Sequence, residues 1–157
     1  MEIILMAVGK TRTEYIARGI GEYASRLKHY TPFSTVELPD VKSAKSLSQE
    51  QQKEQEGRMI LQKIQTGDML VLLDERGREY TSREFALYLE KLMASGRKRV
   101  VFLIGGPYGF APAVYDRADA KISLSRMTFN HEMVRLFFTE QIYRAMTILR
   151  GEPYHHD

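Results

Sequence analysis

The chain contains no cysteine and no tryptophan. Without cysteine there is no disulfide framework, thiolate zinc site, iron–sulfur cluster or cysteine nucleophile. Its apolar runs fall well short of the roughly 20 residues that span a bilayer, so a membrane helix is not expected. Met1-Glu2-Ile3-Ile4-Leu5-Met6 carries an acid and no basic flank ahead of its apolar run, which reads as a strand and not a secretory signal. Charge of one sign is also scarce. Lys and Arg number 23 against 20 Asp and Glu, a net charge of +3. That excess permits a polyanionic partner without requiring one, and RNA-coating proteins usually carry a heavier and more clustered surplus. The rest is ordinary for a globular protein, with 43% hydrophobic and 27% charged residues among 157. The expectation is a single domain over residues 1–157 in the cytoplasm.

Short apolar runs alternate with helical patterns along the chain. Ile3–Val8, Thr35–Leu38, Met69–Leu73, Val100–Ile104 and Ile122–Leu124 read as strands. Thr13–Tyr30, Ser82–Ala94, Pro112–Ala118 and Glu132–Leu149 read as helices. Ser48 followed by Gln51 resembles a capping box opening a further helix that runs to Ile64, charged on most faces and expected to lie exposed. Lys42–Ser48 reads as a loop. Strands that are apolar on both faces and separated by helices predict an α/β fold, a mostly parallel sheet with helices on both faces.

Three segments hold candidate functional residues. Gly105-Gly106-Pro107-Tyr108-Gly109 follows a buried strand, where ligands of open α/β sheets bind and where glycines let a ligand approach the backbone; a plain tight turn is the alternative. Neither a dinucleotide fingerprint nor a phosphate loop fits its spacing. In Ser123-Leu124-Ser125-Arg126-Met127-Thr128-Phe129-Asn130-His131, Asn130 is a good N-cap and puts His131 in the first turn of the last helix. Arg135 then shares a face with His131, and the alternative is that both serve local hydrogen bonds and ion pairs. The tail Gly151-Glu152-Pro153-Tyr154-His155-His156-Asp157 is either frayed or docked through Tyr154. No metal site is expected, since no cysteine and no i, i+4 histidine pair is present. Arg97-Lys98-Arg99 reads as the solvated start of a strand or a phosphate contact, and Glu140 with Arg144 as a helical ion pair.

Taken in order, Met6-Ala7-Val8-Gly9-Lys10, Leu103-Ile104-Gly105-Gly106-Pro107-Tyr108-Gly109, Leu124–His131, Tyr143-Arg144-Ala145 and Gly151-Glu152-Pro153-Tyr154-His155 resemble the ribosomal RNA large subunit methyltransferase H family. That family belongs to the SPOUT class of S-adenosylmethionine-dependent methyltransferases. The resemblance spans essentially the whole chain. It implies a SPOUT-type fold with a C-terminal trefoil knot, a homodimer, and methylation of N3 of a pseudouridine in helix 69 of 23S rRNA on the ribosome. It further implies S-adenosylmethionine contacts at Leu73, Gly105, Leu124, Ser125, Arg126, Met127, Thr128 and Phe129, held largely through backbone. Where the family usually has Pro before the histidine of the last helix, this chain has Asn130, and only His155 of the His155-His156 pair matches the family pattern.

Methyl transfer to a ring N3 requires loss of its proton and alignment of the nitrogen with the methyl group. His155, or else His131, is the candidate base, Arg135 the candidate for steadying negative charge or a phosphate, and Tyr154 the candidate for stacking on the base. The family pattern has the tail of one subunit completing the pocket of the other. Other readings are a SPOUT methyltransferase acting on tRNA, a regulatory module that binds the cofactor and modifies nothing, and a ribosome-associated RNA-binding protein without catalysis.

Overall fold

The computed structural model describes residues 1–156; Asp157 lies outside them. Five strands, β1 (Glu2–Val8), β2 (Phe33–Leu38), β3 (Met69–Glu79), β4 (Arg99–Ile104) and β5 (Ala120–Ser123), form one parallel sheet in the order β2-β1-β4-β3-β5. The helices are α1 (Glu14–Leu27), α2 (Gln49–Lys63), α3 (Ser82–Ala94), α4 (Pro112–Arg117) and α5 (Met133–Leu149).

Alternation along each strand distributes the core into two layers. Ile3, Leu5, Val71, Val100 and Phe102 pack with Leu27 of α1, Phe85 and Leu89 of α3, and Phe138 and Ile142 of α5. Ile4, Met6, Leu70, Leu72, Val101 and Leu103 face the other way, onto Ile60 of α2 and Val114 of α4. Both faces are therefore covered, which is why the strands read as unbroken apolar runs. At the centre Phe138 meets Phe102 edge-on at 4.9 Å and Phe85 at 5.6 Å. The capping box at Ser48–Gln51 is present, and Thr81 with Glu84 makes a second one at the start of α3. No helix among the described residues is long and apolar enough to cross a membrane.

Three expectations need revision. β3 runs six residues past Leu73, to Glu79. Its polar extension is held by pairing: Leu73 and Arg78 both register with Ile122, and Glu79 registers with Ser123. α2 is not simply exposed, since Glu56, Gly57 and Ile60 are buried, and a side chain at Gly57 would press on Ala111 and Val114. Ala44–Ser46, expected as loop, forms a 3-10 turn.

Gly77 marks the tightest crossing. A Cβ there would sit 2.6–2.7 Å from backbone atoms of Lys121 and Ile122, which cannot swing aside as a side chain can. Gly77→Ala should therefore cost about 3 kcal/mol, the upper end for forced overpacking. By contrast Gly21, in α1 with nothing within 4 Å of its Cβ position, should gain up to about 1 kcal/mol on change to Ala. Denaturant midpoints of the two variants check this pair, and equal tolerance at both positions would refute the crossing.

Candidate active site

The carboxyl ends of β3, β4 and β5 are neighbours, and beyond them opens a cleft of about 1180 Å³. Leu73 and Asp74 come from β3, Ile104 and the glycine turn from β4, and Ile122 to His131 from β5 and the loop after it. Ligands of parallel α/β sheets bind at this end. The glycine turn is braced from below. A Cβ on Gly105 would strike the Phe110 ring at 2.8 Å, and one on Gly106 would strike the Glu56 carboxylate at 2.7 Å. The turn's glycines thus permit close packing underneath while its other side faces the cleft.

Opposite lies the loop 124–129. Ser123 Oγ donates to the Ser125 carbonyl at 2.9 Å, and Met127 N–H donates to Ser125 Oγ at 3.0 Å. Beyond these side-chain bonds, Ser125 to Phe129 make no backbone–backbone hydrogen bond among the described residues. Unpaired backbone groups beside an open cleft are available to a ligand, because such groups are otherwise almost always satisfied. Leu73, Gly105, Leu124, Ser125, Met127, Thr128 and Phe129 all line the cleft. Arg126 points out, toward Glu79 at 3.6 Å.

Sequence reading missed the wall formed by Asp74, Arg76 and Tyr115. Tyr115 OH donates to Asp74 Oδ2 at 2.5 Å, Arg76 N–H to Asp74 Oδ1 at 2.8 Å, and Arg76 Nη2 to Tyr115 OH at 3.2 Å. Burial works to raise the Asp74 carboxyl, but the Tyr115 and Arg76 hydrogen bonds and the charges of Arg76 and Lys121 hold it below the ordinary range. An acid directly after a buried apolar strand was the signal available. Glu56 was also missed. It is only 5% exposed beneath Gly106, and burial pushes its carboxyl up, opposed by the bond from Gln52 Nε2 at 3.3 Å and reinforced by Asp40.

The four residues expected to act on substrate are dispersed. His131 is exposed and lines the cleft. α5 begins at Met133, so His131 precedes the helix and does not lie in its first turn as expected; Asn130 closes the turn that carries it, its Oδ1 accepting from the N–H groups of Glu132 at 2.9 Å and Met133 at 3.3 Å. Arg135 does not reach the cleft. It is 3% exposed, and Nη1 donates to the Gly9 carbonyl at 2.9 Å and Thr11 Oγ1 at 3.0 Å while Nη2 donates to the Val8 carbonyl at 2.9 Å. Burial lowers its pKa against the opposing charges of Glu37, Glu132 and Asp40. Glu132 secures the same loop from the other side, accepting from the backbone of Arg12 and Thr13 at 2.9 Å each.

Tyr154 and His155 dock instead on the second half of α5. Tyr154 OH donates to Glu140 Oε1 at 2.9 Å, its ring meets Tyr143 edge-on at 4.8 Å, and Arg144 lies over it. Arg144 Nη2 donates to Glu140 Oε1 at 2.6 Å and Nη1 to His155 Nδ1 at 3.1 Å, an arrangement that leaves the ring proton on Nε2. Upstream, Tyr30 OH donates to Glu152 at 2.6 Å, which with burial pushes the phenol up to about 12. The expected Glu140–Arg144 pair is thus also the seat of the tail. Arg97 and Arg99 gather around Asp68 at the amino ends of the strands, away from the cleft. Among the described residues no three His, Asp or Glu side chains converge as metal ligands.

A cleft at the carboxyl ends of a parallel sheet, walled by a glycine turn and an irregular loop, defines an α/β protein with a ligand site where such sheets carry theirs. The chain belongs to the SPOUT methyltransferase family: the family model described as "Predicted SPOUT methyltransferase" matches residues 1–155. It is 58% identical, over the full length of both chains, to the protein named ribosomal RNA large subunit methyltransferase H in Parabacteroides distasonis. Proteins of the same name in Porphyromonas gingivalis and Christiangramia forsetii are 57% and 53% identical, covering 100% and 99% of each chain. In fold it is similar to a probable methylase family protein from Haemophilus influenzae, with a TM-score of 0.51 at 14% identity, over 99% of this chain and 70% of that one.

Two measurements follow from this geometry. Arg135→Ala strands buried carbonyls and should destabilise the protein by about 3 kcal/mol, with lost amide-exchange protection at residues 9–13. Stability within about 0.5 kcal/mol of wild type would free Arg135 for a role on substrate. Glu56 has a raised pKa when folded, so its ionisation costs stability as pH rises above the unfolded value. Glu56→Gln should therefore gain stability relative to wild type at pH 8, and the gain should vanish by pH 4; a gain independent of pH would contradict the assignment.

Proposed function

We propose that the protein is an S-adenosylmethionine-dependent methyltransferase of large-subunit ribosomal RNA, acting in the cytoplasm on N3 of a pseudouridine in helix 69 of 23S rRNA, on the assembled ribosome. The observation that carries this reading is the cleft lined by Leu73, Gly105 and the loop 125–129, a loop that makes no backbone–backbone hydrogen bond among the described residues. Apolar walls with free N–H and C=O groups fit an adenosyl group, whose flat ring and polar edge need both. When bound, the cofactor supplies an electrophilic methyl group. Membership of the family and the names of the curated relatives support the RNA substrate.

The chain's own residues have the remaining tasks. The N3 proton must be removed while the nitrogen is held in line. His155, with Nδ1 held by Arg144 at 3.1 Å, is an oriented imidazole and the candidate base. It sits away from its own protomer's cleft, and this separation supports a homodimer in which the tail of one copy completes the cleft of the other. Phe137 and Phe129, paired at 5.4 Å and both exposed, offer apolar surface beside the cleft for such a contact. Tyr154 would stack on the substrate base in that arrangement, while His131 is the alternative base from the cleft's own protomer. The trefoil knot belongs to the same reading. A net charge of +3 per chain gives a dimer only +6, so shape recognition on the ribosome supplies much of the selectivity.

Incubation with methyl-labelled S-adenosylmethionine and assembled ribosomes, naked 23S rRNA or tRNA tests the proposal. Label is expected in 23S rRNA from ribosomes; label in tRNA, or cofactor binding without any transfer, overturns it. His155→Ala should lower kcat by about 100-fold or more, the lower range for loss of a general base. Mixing that variant with Gly105→Arg should recover activity that neither has alone, and no recovery would exclude shared sites.

A further inference from the structure

Tyr108 has no use in the fold. It lies in the turn Gly106-Pro107-Tyr108-Gly109, closed by Gly109 N–H donating to the Gly106 carbonyl at 3.3 Å, with Gly109 at φ +82°. Phe110 and Glu56 fill the space beneath, so the turn cannot sink and carries Tyr108 at its tip. The ring lines the cleft and is 45% exposed. Among the described residues it makes no hydrogen bond, ring contact or cation contact, whereas Tyr23, Tyr30, Tyr80, Tyr88, Tyr115, Tyr143 and Tyr154 are all engaged. An exposed, unpartnered aromatic on a rigid turn is costly to leave in water and well prepared to stack, because little freedom is lost on binding.

The surroundings narrow what it would stack on. Lys53, paired on the surface with Glu50 at 3.0 Å, and Arg76, braced on Asp74 and Tyr115, line the same cleft and add positive charge to it, and Met127, 77% exposed, extends from the opposing loop. A flat exposed ring in a cleft that also carries cations is the chemistry that recognises an unpaired nucleotide: the base lies on the ring and the backbone meets the charges. The residues proposed for the adenosyl group, Leu73, Gly105 and the loop 124–129, do not include Tyr108. We infer that Tyr108 is a stacking platform for an unpaired RNA base at the mouth of the cleft, a determinant of RNA affinity distinct from the cofactor contacts. The inference rests on the RNA-methyltransferase reading above.

Two readouts separate its failure from failure of that reading. In the methylation assay Tyr108→Ala should raise KM for ribosomes by roughly 10- to 100-fold, the loss of one base–aromatic stack, while cofactor affinity stays near the wild-type value. Tyr108→Phe, which keeps the ring, should restore most of the affinity. Unchanged KM, a loss confined to the cofactor, or equal losses in both variants would overturn the inference while leaving the methyltransferase reading intact. Because the chain lacks tryptophan, Tyr108→Trp gives a single reporter. Its emission should be quenched by a single-stranded oligouridylate and not by S-adenosylhomocysteine alone. Quenching by the nucleoside alone, or by neither, contradicts the platform even if no RNA proves to be methylated.

Discussion

The close passage of β3 over β5 governs how the site is built. After Leu73 the strand bulges through residues 74–77, shifting register so that Arg78 and Glu79 pair again with β5. Only glycine at position 77 allows the backbone to come so near Lys121 and Ile122. This excursion supplies one wall of the cleft, the turn after β4 supplies another, and the loop after β5 the third. Were β3 to end at Leu73 as its apolar run suggests, the wall of Asp74 and Arg76 facing Tyr115 would have no return path to hold it. The cleft is thus a consequence of backbone pairing, and the loop after the edge strand β5 keeps a backbone that no other backbone pairs with among the described residues.

Helix α5 divides the functional surface. Its start, held to the loop after β1 by Arg135 and Glu132, follows directly on the turn that presents Asn130 and His131 to the cleft. Its second half carries Glu140 and Arg144, which seat Tyr154 and His155. Met133 and Arg144 are eleven positions apart, roughly 16 Å along a helix at 1.5 Å per residue. Within one chain the cleft and the tail are therefore held apart.

Much of this was legible in the sequence where burial decides structure. The central strands announced themselves because both faces are covered, and α3 because Phe85, Leu89 and Leu92 share an inward stripe. The extension of β3 was not legible, since Glu75-Arg76-Gly77-Arg78-Glu79 has no apolar residue and is ordered by pairing and by a close approach visible only in three dimensions. The charged surface of α2 hid the burial of Glu56, although Gly57 in mid-helix was a sign of a tight neighbour. Arg135 was misleading in a general way: spacing on a helix says which residues share a face, not whether that face meets solvent or a set of buried carbonyls. Of the residues that the resemblance places around the cofactor, all but Arg126 line the cleft; strand ends and glycine turns pointed to Gly105 and the loop after β5, but Leu73 reads as a core residue on its own.

The account depends most on the Ser125 to Phe129 backbone being the surface that holds the adenosyl group. Amide hydrogen exchange with and without S-adenosylmethionine reads those groups directly. The account predicts new protection at residues 125–129 and at Gly105 and Gly106, with little change on the second half of α5 unless RNA is added. Protection confined to other segments, or none at saturating cofactor, would contradict it.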